Sequence, residues 1–348
     1  MADLGAPRYA DMTYRTVRPE RAEAARALAR PLAQLRRHHP ARRRSAQLSA
    51  TAFDLGITHF DLANNYGPPY GSAESNFGRL LRDDLPAHRD EFIDLHQGRL
   101  GHVARPLRPG RRLAQVRAGQ PRPEPARGIG VDYVDIFYSH RFDAGTPLEE
   151  TMGALATAVQ QGKALYVGLS SYSAGKTREA AALLRQWKVP CLIHQPSYNL
   201  FNRWIEGGLL DALEAEGMGC IAFTALAQGL LTGKYLGGVP KDARVNRPGG
   251  GSLLPSHLSE ANLARARALD GLAKARGQSL AQLALAWVLR DRRVTSTLIG
   301  ASSAAQIREN VGALARLDFT AEELAAIDVH AVEGGVNLWE KPSTDQAV

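Results

Sequence analysis

The sequence predicts an α/β protein of the (β/α)8 TIM-barrel class. The chain has 348 residues, which suits one barrel with insertions. From residue 52 onward, short apolar runs alternate with amphipathic stretches, and polar residues follow the apolar runs. With 44% apolar residues the chain can bury a sizeable core, so we expect one domain over residues 1–348.

Six short apolar runs, rich in β-branched residues, are typical of strands buried on both faces of a parallel sheet. These predicted strands are 58–63, 134–140, 164–170, 192–198, 219–224 and 297–301. A closed barrel needs eight strands. The two missing strands would fall in two Arg-rich segments, residues 17–50 and 96–128.

Amphipathic stretches separate these runs and predict helices. They are 148–160, 177–186, 208–216, 260–276, 279–290 and 304–313. Repeated strand–helix units imply a parallel sheet, because each helix carries the chain back to the same end of the sheet.

The charge is distributed unevenly. The formal net charge is +8, yet each Arg-rich segment alone carries +7, so the remainder is acidic. Both segments lack aromatic residues, and we therefore expect no nucleic-acid partner. No apolar run reaches the ~20 residues of a membrane-spanning helix. We expect a cytoplasmic protein without a membrane partner.

The two cysteines, Cys191 and Cys220, lie in apolar runs, so we expect both to be buried in the core. Two cysteines are too few for a disulfide scaffold or a multi-cysteine metal site. We expect no metal.

Polar side chains recur where the predicted strands end. Barrel enzymes place their active sites at this end of the sheet, so the recurrence predicts a site there. The residues concerned are Asp61, His140, Ser170, Ser171, Gln195 and Thr224.

Six stretches together resemble the aldo-keto reductases. They are HFDLANNYG at 59–67, YSH at 138–140, GLSSY at 168–172, HQ at 194–195, FTALAQGLLTGKY at 223–235 and IGASSAAQIREN at 299–310. The nearest branch holds the bacterial L-glyceraldehyde 3-phosphate reductases and the voltage-gated potassium channel β subunits. The stretch NNYGPPYGSAE at 64–74 favours the reductases.

The resemblance implies NADPH-dependent reduction of small aldehydes or ketones, such as L-glyceraldehyde 3-phosphate or methylglyoxal. Tyr66 would be the general acid that protonates the carbonyl oxygen as hydride arrives. Asp61 would hold a catalytic lysine, and His140 would orient the carbonyl. Related branches assemble as oligomers, so a homo-oligomer is left open.

The NADPH residues that the resemblance implies fall into three groups. The nicotinamide carboxamide and ring would meet Ser170, Ser171, Gln195 and Phe223. The pyrophosphate would be lined by Thr224, Leu226, Gln228, Gly229 and Lys234. The adenosine end and its 2′-phosphate would meet Gly300, Ser302, Gln306, Glu309 and Asn310. The turn at 300–302 opens a predicted helix, whose free amides favour a phosphate.

One family feature is missing. The family carries a lysine late in its third strand, in a stretch like Ser-Thr-Lys-Ala-Gly, whereas residues 95–99 here read Leu-His-Gln-Gly-Arg. The chain has no lysine between Met1 and Gly162. Because the lysine would lower the pKa of Tyr66, its absence favours an alternative: a non-catalytic NADP(H)-binding regulatory subunit or inactive paralogue.

The genetic code offers a cause. Codons for residues 95–99, read one base later, permit Ser-Thr-Lys-Ala-Gly, and the same shift from Val17 permits another family-like stretch. We therefore interpret residues 17–50 and about 94–128 as out-of-frame translation. We expect these segments to be poorly ordered and the first and third strand–helix regions of the barrel to be disrupted. We therefore expect the chain to be unstable.

Overall fold

The computed structural model describes residues 40–63, 66, 71–83, 93–98, 130–240, 243–246 and 253–337. For residues 40–45, 93–98 and 244 it describes the backbone alone. Most of the two Arg-rich segments, including the expected first strand and the helix after the third, therefore lies outside the described residues. None of the described helices is long and apolar enough to cross a membrane.

Seven strands of the described residues form one parallel sheet, and their order in the sheet is their order in the chain. This is the topology that the alternating pattern predicts. The strands are β1 (His59–Ala63), β2 (Ile93–Gly98), β3 (Val134–Ser139), β4 (Ala164–Ser170), β5 (Cys191–Gln195), β6 (Gly219–Ala222) and β7 (Ser296–Thr297).

Nine α-helices cover the outside of the described sheet region or join its strands. They are α1 (Pro40–Asp54), α2 (Ser72–Asp83), α3 (Leu148–Gln160), α4 (Ala174–Gln186), α5 (Leu209–Ala215), α6 (Glu260–Ala275), α7 (Leu280–Leu289), α8 (Ala304–Val311) and α9 (Ala321–Asp328). The predicted bounds of α3 and β4 are confirmed to the residue, and β7 is shorter than predicted.

The two Arg-rich segments contain more structure than the sequence predicts. Helix α1 begins at Pro40, inside the first segment, and buries Ala46. Strand β2 runs into the second segment and pairs with both neighbours, β1 and β3. Strand β2 corresponds to the family's third strand, which we expected to be disrupted. Its backbone is paired on both sides, so the disruption does not extend to it.

Hydroxyl caps start five of the helices. In each, the side chain before the first helical residue accepts a hydrogen bond from a backbone N–H in the first turn, which satisfies one of the unpaired amides there. The capping residues are Ser173, Ser259, Ser279, Ser303 and Thr320.

The strands of the sheet contribute to separate hydrophobic clusters. A small cluster consists of alternate strand residues, namely Ile136, Tyr138, Ile193 and Ile221, with Tyr166, Leu192 and Leu298 packed against it. A larger cluster includes residues of helices α3 to α7 together with Cys191 and Cys220. Both cysteines are buried and unbridged, as the sequence predicts.

Gly168 makes room for Tyr138 inside the small cluster. Tyr138 is fully buried, and a Cβ at Gly168 would lie 2.4 Å from Cε1 of its ring. Real Cβ atoms do not approach a carbon that closely, so only glycine fits between these paired strands.

Gly168→Ala should therefore destabilise the fold by about 1–3 kcal/mol, since an added methyl group overpacks the core. Gly271→Ala is the matched control, because Gly271 lies within α6 with nothing within 4 Å of a new Cβ. The control should be neutral or stabilising by up to about 1 kcal/mol. Urea unfolding midpoints measure both, and equal midpoints would contradict the packing argument.

Candidate active site

The ends of strands β1, β3, β4 and β5 bring the sequence-predicted catalytic residues together. Asp61 lies in β1, and Tyr66 follows that strand, with its backbone N–H donating to Ala63. His140 follows β3, and Gln195 ends β5. In parallel sheets the carboxyl ends meet at one edge, which is where barrel enzymes carry their sites.

Asp61 sits between two hydrogen-bond donors. The Tyr66 hydroxyl donates to Oδ2 of Asp61 at 3.3 Å. The Gln195 side-chain amide donates to Oδ1 at 3.2 Å. Gln195 is buried, so its amide is a fixed dipole against the carboxylate.

Tyr66 is held in its protonated form. Burial raises the pKa of Tyr66 well above its usual range, and the charge and hydrogen bond of Asp61 raise it further. The positive charge of Arg141 opposes them and lowers the same pKa. The net effect is upward, so the phenol keeps its proton at neutral pH.

His140 faces the tyrosine ring. The ring centroids of Tyr66 and His140 lie 6.5 Å apart at an interplanar angle of 88°. The imidazole and the phenol ring therefore lie close together at the end of the sheet. A carbonyl oxygen there would meet two polar groups.

Ser170, Ser171 and Gln195 form one hydrogen-bonded unit across β4 and β5. The Ser170 hydroxyl donates to the Gln195 carbonyl at 2.8 Å, and the Ser171 backbone N–H donates to the same oxygen at 3.2 Å. Ser171 has a φ of 57°, a left-handed conformation that non-glycine residues adopt at some cost. The turn is therefore fixed directly after the strand.

Phe223 and Thr224 are held beside this unit after β6. The Phe223 N–H donates to the carbonyl of Pro196, and the Phe223 carbonyl accepts from the Tyr198 N–H. Phe223 is half-buried. Thr224 has a φ of 58°. The Asn199 side chain donates to its carbonyl at 3.0 Å.

Asn199 is a site-building residue that sequence reasoning missed. It is buried, and its side-chain oxygen also accepts from the backbone N–H of Phe201. A single asparagine after a strand carries no sequence signal for this role, because its partner lies 25 residues further along the chain.

Residues 226–229 form a tight turn with left-handed backbone. Ala227, Gln228 and Gly229 have φ values of 45°, 58° and 99°. Leu226 begins this turn and accepts from Gly229 N–H. Lys234 is exposed further along, with its ammonium 5.4 Å from the Tyr235 ring centroid.

The third predicted group lies at α8. Gln306 Oε1 accepts from the backbone N–H of Ser302 at 2.7 Å and from its hydroxyl at 3.0 Å, which fixes the turn containing exposed Gly300 before the helix. Gln306, Glu309 and Asn310 are spaced i, i+3 and i+4, so they share one face. Glu309 is exposed and Asn310 is buried.

Residue 97 lies on β2, between the two strands that lead to Tyr66 and His140. Its backbone pairs with Ala63 on one side and with Tyr138 on the other. The residue there is glutamine, and the first lysine of the chain is Lys163. Among the described groups that act on the pKa of Tyr66, the cation is Arg141.

Comparisons with known proteins agree on one family. The sequence model of the Aldo/keto reductase family matches residues 33–332. The chain is 57% identical over 295 residues to the L-glyceraldehyde 3-phosphate reductase of Escherichia coli strain K12, covering 84% of this chain and 85% of that protein. It is 34% identical over 267 residues to a protein of Oryza sativa subsp. japonica described as a probable voltage-gated potassium channel subunit beta, covering 75% and 79%.

The solved structures agree on the fold. A thermostable aldo-keto reductase in complex with the inhibitor epalrestat matches with a TM-score of 0.62 at 24% identity, over 84% of this chain and 89% of that chain. This likeness and the chain-ordered parallel sheet confirm the predicted barrel class. The chain belongs to the aldo/keto reductase family, a family of oxidoreductases.

Proposed function

We propose that the protein reduces small aldehydes or ketones with NADPH, and that Tyr66 is the general acid. The observation that carries the proposal is the placement of Tyr66, Asp61 and His140 at one end of the parallel sheet. The protein would act in the cytoplasm on a small-molecule substrate, without nucleic-acid or membrane partners, and as a monomer or a homo-oligomer.

The donor set fits a nicotinamide dinucleotide. Ser170 and Gln195 offer a hydroxyl and an amide beside the half-buried ring of Phe223. That combination suits a carboxamide next to a flat ring. At the other end, the turn before α8 presents backbone amides at a helix N-terminus, which favours a phosphate.

The remaining residues of the resemblance complete this assignment. Thr224, Leu226, Gln228, Gly229 and Lys234 would line the pyrophosphate, and Gln306, Glu309 and Asn310 would meet the adenosine end. When bound, NADPH supplies the hydride. Ser171 would hold its turn against Gln195 throughout, because its backbone N–H is already bonded there.

The protein residues handle the substrate oxygen and its proton. His140 would orient the carbonyl, and the Tyr66 hydroxyl would donate its proton to the oxygen as the oxygen becomes negative. Donation leaves a tyrosinate next to the Asp61 carboxylate. Burial and Asp61 both raise the pKa of Tyr66, and Arg141 offsets this only in part, so the step is unfavourable without a further cation.

A second candidate function is supported by the residue at position 97 and by the pKa of Tyr66. A protein that binds NADP(H) and turns over slowly would serve as a redox-sensing regulatory subunit, or would be an inactive paralogue. The glutamine at position 97 and the raised pKa of Tyr66 favour this alternative. The relatives include both a reductase and a protein described as a channel subunit.

The substrate class is proposed from the site and from the Escherichia coli relative. That relative is named for L-glyceraldehyde 3-phosphate. Arg141, which follows His140, supplies a positive charge near Tyr66 and suits an anionic substrate. Methylglyoxal, an uncharged three-carbon aldehyde, is the other substrate that we propose.

Gln97→Lys should raise kcat for aldehyde reduction on the order of 100-fold, because a nearby ammonium lowers the pKa of Tyr66 and eases general acid catalysis. The unaltered chain should quench its tryptophan fluorescence on NADPH addition yet oxidise NADPH slowly with either aldehyde. NADPH absorbance at saturating aldehyde measures the rates.

Gln97→Met is the matched control, since it keeps the length of the side chain without the charge. An equal rate in the lysine and methionine variants, with NADPH still bound, would contradict the reductase proposal and support the binding module. Absence of NADPH binding would contradict both.

We also infer that residues 1–348 form one barrel domain, and that residues 17–50 and about 94–128 are translated out of frame. The match of the family to residues 33–332 supports a single domain. Sequencing the coding DNA across codons 16–52 and 93–130 tests the inference. Restored frames with Ser-Thr-Lys-Ala-Gly at 95–99 are expected, and DNA that encodes the chain as written would contradict it.

A further inference from the structure

Two buried hydroxyl groups join the ends of strands β3 and β4. Ser139 ends β3, and Tyr172 follows β4. Tyr172 is fully buried, and its ring packs edge-on against Phe142 with centroids 5.5 Å apart. The hydroxyl oxygens of Ser139 and Tyr172 lie 2.7 Å apart, a short hydrogen bond within the core.

The direction of this hydrogen bond is set by its neighbour. The Ser139 hydroxyl donates to the backbone carbonyl of Arg141 at 3.3 Å. A serine hydroxyl has one proton, so while Ser139 donates to this carbonyl, Tyr172 is the donor to Ser139. Burial raises the pKa of Tyr172 to about 12, and the donor therefore keeps its proton at neutral pH.

The backbone of Tyr172 is fixed from the other side by strand β5. His194 Nε2 lies 3.2 Å from both the N–H and the carbonyl of Tyr172. Burial lowers the pKa of His194 to about 3, so the ring is neutral and bonds one of them according to its tautomer. Tyr172 is thus tied to β5 by its backbone and to β3 by its hydroxyl.

The carbonyl at the end of this chain lies in the catalytic segment. It belongs to Arg141, the residue directly after His140. The His140 ring stands perpendicular to Tyr66, and Arg141 is the cation that acts on Tyr66. Fixing the Arg141 carbonyl fixes the backbone from which both side chains leave.

We propose that Tyr172 and Ser139 are positioning residues that orient His140 and Arg141 toward Tyr66. Their hydrogen bonds run from Tyr172 through Ser139 to the Arg141 carbonyl. The importance of this orientation for catalysis rests on the proposed reductase function, whereas the orientation itself does not.

Tyr172→Phe tests the proposal, because it removes the donor and keeps the ring contact with Phe142. The readout is the nuclear Overhauser cross-peak between the Tyr66 and His140 ring protons, assigned with Tyr66→Phe. The cross-peak should be present in the unaltered protein and lost in Tyr172→Phe. Tyr198→Phe is the control, since Tyr198 is equally buried and its hydroxyl bonds Glu206 and Arg290 instead. The control should keep the cross-peak.

Ser139→Ala is the second variant and covers the case in which Tyr172→Phe does not fold. It should lose the cross-peak, and Ser139→Thr, which keeps a hydroxyl, should restore it. An unchanged cross-peak in folded Tyr172→Phe or Ser139→Ala would overturn the proposal. Because this readout needs no turnover, loss of the cross-peak in a protein without reductase activity would support the positioning role and separately count against the proposed function.

Discussion

The hydrogen bond between the Tyr66 hydroxyl and the Asp61 carboxylate is the interaction on which the site depends. Two acids can share a hydrogen bond only while one keeps its proton, and here burial and the Asp61 charge both assign the proton to Tyr66. Gln195 donates to the other oxygen of Asp61. The neutral amide of Gln195 thus stabilises the carboxylate without cancelling its charge. The Tyr66 phenol therefore keeps its proton and is a weak acid.

The parallel sheet makes this contact possible. Asp61 and Gln195 lie on strands β1 and β5, which are far apart in the chain and in the sheet order. Their side chains meet because the strands curve as the class of fold requires and end at one edge. The small cluster around Tyr138 fills the space beneath, and Gly168 leaves room for that ring. Packing in this cluster therefore supports the strands that carry the site.

Sequence patterns predicted the helices and strands of the protein better than the contacts between its side chains. The bounds of α3 and β4 follow from local apolar periodicity, whereas β7 is shorter than its apolar run because only two residues pair with β6. The recurring polar strand ends also predicted that Asp61 and Gln195 lie at one edge of the sheet, where the two side chains are hydrogen-bonded. The donation from Gln195 to Asp61, the role of Asn199 and the Tyr172–Ser139 pair could not be predicted, since they depend on which side chains distant strands bring together.

The ionisation of Tyr66 tests the central claim most directly. Tyrosine labelled with ¹³C at Cζ, assigned with Tyr66→Phe, reports each phenol by its chemical shift as the pH rises. Tyr66 should stay protonated past pH ~10, where an unperturbed tyrosine ionises. Asp61→Asn should move its midpoint downward, because a repelling charge is removed. A Tyr66 midpoint at or below the unperturbed value, unaffected by Asp61→Asn, would contradict the account.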